Sequence, residues 1–175
     1  AGMARGNKLE SAILEHTASL LGVSLSKGVS FVRHPDFDRV PFQANTDGTL
    51  LWSREGEEVN GLAEAKTTKS STYWKGTCMD FKKGRIPPSY AMQVQMYLHV
   101  TKLRWGVISC FIGPGNDEVW DWSDMQDFVM LSFRPNPSAA KILMSCIEEF
   151  WHYVKKDEPP PWGTHPQLPD LLREL

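Results

Sequence analysis

Glu64 and Lys66 stand two residues apart in "GLAEAKTT" (61–68), a stretch with strand-like surroundings. In a β-strand positions i and i+2 face the same way, so Leu62, Glu64 and Lys66 share one face and Ala63, Ala65 and Thr67 the other. An isolated pair of this kind is ordinarily an exposed ion pair worth at most about 1 kcal/mol. Asp47, in "NTDG" (45–48), changes the question. Asp-Gly is a common turn dipeptide, yet Asp47 and Glu64 fall on consecutive expected strands joined by a short polar connection. If those strands pair, two carboxylates meet beside Lys66, and close carboxylates repel unless a cation or a proton lies between them. Hard oxygen ligands with room for water suit Mg²⁺ or Mn²⁺. A lysine beside such an ion is a poor ligand, but it can orient a water or stabilise charge developing on a phosphate.

Other polar residues stand near this pattern. Gln93, three residues after Tyr90 and four before Tyr97 on an expected helix, lies on a face able to overlook the carboxylate strands. Gln95 reads as a surface glutamine and Glu10, beside Leu9, as a helix-surface glutamate. Residues 66–85 carry Lys66, Lys69, Lys75, Lys82, Lys83 and Arg85 against the single acid Asp80, an excess of +5 in a chain of net charge −2. Tyr73, Trp74 and Phe81 are interleaved with these bases. Basic and aromatic side chains together suit a phosphate backbone with unstacked bases; a solvated loop fits the composition equally well.

The elements that must position these residues can be read from periodicity. A helix is expected over about 5–21 from Leu9, Ala12, Ile13, Leu20 and Leu21, with Gly22 as its stop. Strands follow at 28–33, at 41–52 with a turn at Asp47-Gly48, and at 61–68, the last two joined by a hairpin-like connection at 53–60. Residues 68–88 lack a period and read as a long loop. A helix over 88–101, a buried strand over 104–113, and an antiparallel pair from "EVWDWS" and "DFVMLSF" come next. Asn136 caps a last helix whose expected buried stripe is Ile142, Leu143, Cys146, Ile147, Phe150, Trp151 and Val154. The order implies an α/β domain with one central mixed sheet over residues 1–158 and a Pro-rich tail over 159–175. At 41% hydrophobic content the chain can fill a core, which excludes disorder. Three cysteines, 32 and 36 residues apart, match neither a disulfide framework nor a zinc or iron–sulfur spacing. With no apolar run approaching ~20 residues, a cytoplasmic protein without membrane association is expected.

In order and spacing, "GNKLE" (6–10), "NTDG", "EAK" (64–66) and "YAMQVQMYL" (90–98) resemble the PD-(D/E)xK nuclease superfamily, and within it the YqaJ-type viral recombinases, the group of the bacteriophage lambda exonuclease. The resemblance spans about residues 5–156 and closes on "IEEFWHYVKKDEPPP". It implies a restriction-endonuclease-like α-β-β-β-α-β core with a C-terminal β-β-α extension. It also implies that Asp47, Glu64 and the Ala65 carbonyl hold the metal, with Glu10 completing the site. Lys66 then serves the attacking water, and Gln93, supported by Tyr90, lies close by. Thr46 stands where the family has proline. The segment with an arginine and an "ITAS"-like motif that precedes the first helix of lambda-type enzymes has no counterpart here, which leaves cleavage polarity open.

The function so implied is Mg²⁺-dependent hydrolysis of DNA, with Mn²⁺ able to substitute, by an exonuclease acting at free ends in phage-type recombination. A single-strand annealing protein and a ring-shaped homo-oligomer, a trimer in the resembled family, are the expected partners. Lys69, Trp74, Lys75, Lys82, Lys83, Arg85 and Tyr90 are the expected DNA contacts. A structure-specific or non-specific endonuclease, and a catalytically silent DNA-binding module, are the alternatives.

Overall fold

The computed structural model describes residues 2–54, 57–70, 75–114, 120–161 and 169–171, without the side chains of 2–7, 27–30, 54, 57, 75, 76 and 78. Helix α1 (Gly2–Leu21) starts earlier than its apolar period and ends at Gly22, whose φ of +65° suits a residue without a Cβ. Leu9, Ile13, Leu14, Thr17 and Ala18 recur at helical spacing and form its buried face. Five strands follow in one sheet of order β1-β2-β3-β4-β5: β1 (Ser24–Arg33), β2 (Gln43–Arg54), β3 (Glu57–Lys69), β4 (Gly106–Gly113) and β5 (Asp127–Phe133). All neighbours pair antiparallel except β3 and β4, which are parallel.

A parallel pair needs a crossover, supplied here by α2 (Lys75–Lys82) and α3 (Pro88–Thr101). The sheet is thereby covered on both faces. Leu14 and Ala18 of α1 pack on Leu50, Ala63 and Val107, while Val94 and Leu98 of α3 pack on Leu62. Every residue of β4 is buried, as its unbroken apolar run requires.

Several expected elements differ. The 68–88 segment is not one long loop, because α2 forms within it and inserts Phe81 beside Ile108, Cys110 and Ile112. The core contact overrides the weak local period. No turn forms at Asp47-Gly48, where β2 runs straight through. Gly48 meets the requirement of close packing: a Cβ there would lie 3.1 Å from Leu25 and 3.4 Å from Leu14. Of the expected C-terminal strand pair, Trp122–Asp124 is a 3-10 turn closed by reciprocal Asp121 and Asp124 caps, and β5 pairs with β4 instead.

Helix α4 (Pro137–Lys156) starts at the Asn136 cap, but only Ala139, Ala140 and Leu143 are buried. Phe150 (56% exposed) and Val154 (44%) leave the expected stripe, because α4 meets α3 chiefly through its first turns. Gln95 is not a surface residue. Its amide donates to the Arg134 carbonyl and its oxygen accepts from Asn136 N, tying the end of β5 to the start of α4. Leu171, within the expected tail, is buried against Met96, Ala139 and Leu143. Cys110 and Cys146 are in no disulfide, and the Cys78 side chain lies outside the described residues. Among the described residues no helix is long and apolar enough to cross a membrane.

Candidate active site

Asp47 sits where β2 loses regular pairing on both sides. Toward β1, the register passes from Lys27↔Gly48 to Ser30↔Thr46, so β1 carries one extra residue opposite Asp47. Toward β3, the ladder ends at Gly48↔Ala63. The Asp47 carboxylate bridges the resulting gap, with Oδ2 accepting from the Ala65 backbone N–H at 2.9 Å. A bulge that re-aims a side chain is a common device beside functional sites.

Glu64 follows on β3 and is 1% exposed. Its Oε1 accepts from Lys66 Nζ at 2.7 Å and from Gln93 Nε2 at 3.1 Å. Its Oε2 is buried and has no hydrogen-bond partner among the described residues. Burial pushes the Glu64 carboxyl up to about 7; Lys66 opposes this rise and Asp47 adds to it. Lys66 is itself largely buried, which alone would lower its pKa. The Glu64 carboxylate outweighs that burial, with smaller help from Asp47, and holds the ammonium above its ordinary range. The Tyr90 ring lies 5.3 Å from Lys66 Nζ, and burial pushes its phenol up. Glu10, on α1, has a raised carboxyl because of burial and then the nearby Asp47 charge, against the opposite pull of Lys66.

The fold thus brings together five sequence-predicted residues, Glu10, Asp47, Glu64, Lys66 and Gln93, with Ala65 between two of them. Strand parity places Glu64 and Lys66 on the α3 face, and one helical register of α3 delivers both Tyr90 and Gln93 to them. Tyr97, which the sequence places on this helix face without a role, belongs with this group: its hydroxyl accepts from Gln93 Nε2 at 3.0 Å. Its signal is the i+4 spacing from Gln93, which puts both on one stripe.

The donor set suits a hard divalent cation. A buried carboxylate oxygen without a donor, facing a second carboxylate, is costly unless a cation or proton compensates it. Among the described residues no three His, Cys, Asp or Glu side chains converge into a ready cluster. Two carboxylates and a backbone carbonyl are nonetheless in keeping with Mg²⁺, which retains several waters and takes few protein ligands.

The expected DNA contacts that are described differ in their surroundings. Lys69 ends β3 as a buried residue, and Phe81 lies in the core. Lys82 and Lys83 are exposed, Lys82 with Asp127 3.6 Å away. Arg85 pairs with Asp80 at 2.7 Å. Trp74, Tyr73 and the Lys75 side chain lie outside the described residues.

Comparison with known proteins bears on the family and the fold. Residues 1–104, more than half of the 175-residue chain, match the model of the YqaJ-like viral recombinase domain. No curated protein sequence matches. Among solved structures, the alkaline exonuclease LHK-Exo from Laribacter hongkongensis is similar with a TM-score of 0.66 and 17% identity, over 90% of this chain and 70% of that one. Its complex with dAMP gives 0.65 and 18%, over 89% and 69%. A phage-related exonuclease from Haemophilus somnus 129PT gives 0.55 and 13%, over 89% and 73%. At these identities the structural likeness establishes a shared fold, and the matched sequence establishes the family: the chain belongs to the YqaJ-like viral recombinase domains.

Proposed function

We propose that the protein is a Mg²⁺-dependent deoxyribonuclease that hydrolyses phosphodiester bonds at DNA ends. The observation that carries this reading is Glu64, a buried carboxylate with Lys66 and Gln93 on one oxygen and, among the described residues, no donor on the other. A purely structural ion pair would leave no reason to bury that second oxygen beside Asp47. Asp47, Glu64 and the Ala65 carbonyl would hold the ion, with Glu10 at its margin. When bound, Mg²⁺ supplies charge neutralisation at the phosphate and lowers the pKa of water.

The chain's own residues supply position. The Ala65 N–H fixes the Asp47 carboxylate, and Gln93, itself fixed by Tyr97, orients Glu64. Lys66 keeps its proton, so it acts as a fixed positive charge that orients the attacking water and stabilises charge gathering on phosphate oxygens. Water adds to phosphorus and one P–O ester bond breaks. Activity at DNA ends in recombination is the part of this reading drawn from the family and from the exonucleases that share the fold. A cytoplasmic setting, a ring-shaped oligomer and an annealing partner belong to the same reading.

Incubation of the purified protein with linear, nicked and closed-circular DNA, with and without Mg²⁺ or Mn²⁺, tests it. Metal-dependent loss of linear DNA alone is expected. Cleavage of closed circles would favour an endonuclease, and no cleavage of any form would leave a DNA-binding module.

A further inference from the structure

The sheet end remote from the carboxylates holds a second built feature. Helix α1 stops at Leu21, short of the sheet's edge, and beyond it lies a cavity of about 690 Å³. Its walls include Trp52, Val59, Trp105, Phe133, Arg104 and Arg134. By strand parity Trp52, paired with Val59, lies on the α1 face, whereas Glu64 lies on the α3 face. Trp52 is also five residues along β2 from Asp47, roughly 17 Å at ~3.3 Å per residue. The cavity therefore opens at the other end of the sheet from the proposed chemistry, with Trp52 and Val59 on the α1 face and Phe133 reaching round to Val94 and Leu98 of α3.

The walls are firmly held. Trp105 lies flat against Gly61, where any Cβ would come within 2.3 Å of the indole, and its carbonyl accepts from Leu62 N. The Arg134 carbonyl is anchored by Gln95. Both guanidiniums are exposed, and neither has a hydrogen bond or ion pair among the described residues. Trp52 is 43% exposed. Large aromatic side chains and arginines around a concave apolar floor are the composition of an interface centre.

We propose that this cavity docks a short acidic and apolar segment of a partner protein, with carboxylates on Arg104 and Arg134 and an aromatic or aliphatic side chain against Trp52 and Trp105. Charge complementarity selects an acidic occupant. Two arginines at one cavity do not make the extended positive groove that a nucleic-acid strand follows, so a short peptide is the occupant selected. The inference is independent of the nuclease reading, because it is tested by binding alone.

The probe is a displayed library of random twelve-residue peptides, panned on the intact protein. Enriched peptides are then synthesised with a fluorophore and titrated by anisotropy against wild type, Arg104→Glu/Arg134→Glu and Trp52→Ala. The expected result is enrichment of sequences that set acidic residues beside Phe, Trp, Leu or Ile. Their affinity should fall roughly tenfold or more in the double arginine variant and also fall in Trp52→Ala, with unchanged melting temperatures. Absence of enrichment, enriched peptides without that pattern, or full affinity in the double variant would overturn the proposal. So would a labelled oligo(dT) decamer that competes with the peptides for these arginines, or self-association that the double variant abolishes.

Discussion

The carboxylate site and the basic segment that follows it use charge in opposite ways. Around Glu64 the charges are internal: α1, β2, β3 and α3 each deliver one to three side chains, and the central carboxylate is 1% exposed. Around α2 they are external, and Lys82 and Arg85 lie near the acids Asp127 and Asp80 of this same chain. Exposed pairs of that kind are screened and worth little, whereas a buried carboxylate must be compensated. The first region therefore demands defined positions. The second demands only an approximate local charge.

If so, substitutions in the first region should act on turnover far more than on binding. The largest effect is expected for Asp47→Asn and Glu64→Gln, each of which removes an anionic oxygen donor while nearly preserving shape. Both should abolish Mg²⁺-dependent cleavage in a single-turnover assay yet retain a cooperative melt. Full activity in either metal-saturated variant would end the assignment. Lys66→Ala should come next, with a loss of about 10²-fold or more in turnover and a smaller change in DNA affinity. Turnover unchanged with only weakened binding would move Lys66 into the second region's class.

The contrast also explains what is legible in the sequence. Glu64, Lys66 and Asp47 can be read because strand parity and a short connection fix which residues meet. Gln93 follows from helical spacing. The splayed ladder at Asp47 cannot be read, since it depends on the extra β1 residue opposite it. Residues 68–88 mislead for the reverse reason. Their composition is right for a polar loop, but Phe81 is drawn into a core built from β4, far away in sequence. The α4 stripe is overread in the same way, because amphipathicity shows that a face could be covered and not that a neighbour reaches it. Gln95 looks like any surface amide until β5 and α4 bring two backbone partners to it.

A third prediction sharpens the buried side through pH. The Glu64 carboxyl rises from 4.5 to about 7 on folding, so the metal-free protein binds its proton more tightly folded than unfolded. That contribution is fully present below about pH 4.5 and is lost as pH rises through about 7. The span corresponds to about 3 kcal/mol. Glu10, also raised, acts in the same direction, while Lys66, raised from above 10, does not titrate in this window. Urea titrations in EDTA across this range should show stability falling with pH, and Glu64→Gln should flatten most of the slope. A flat profile in the unaltered protein would mean that Glu64 ionises as an ordinary carboxylate.

The smallest effect is expected from the exposed side. Neutralising Lys82, Lys83 and Arg85 together should leave the carboxylate geometry untouched, since all three side chains are exposed and none touches Glu64 or Asp47. Removing one base from a phosphate reduces the slope of log K against log salt by roughly 0.7 to 0.9. The triple variant should thus flatten that slope by about two to three units if all three meet phosphate. The neighbouring acids pull toward the lower figure, because a base already near Asp127 or Asp80 releases fewer counterions on binding. Lys83, with no acid partner among the described residues, should contribute the fullest single step. Turnover at saturating DNA should stay near the wild-type rate, in contrast to Lys66→Ala. An unchanged salt slope with an intact fold would place the DNA path elsewhere; a collapse of saturated turnover would mean that the two regions are one site.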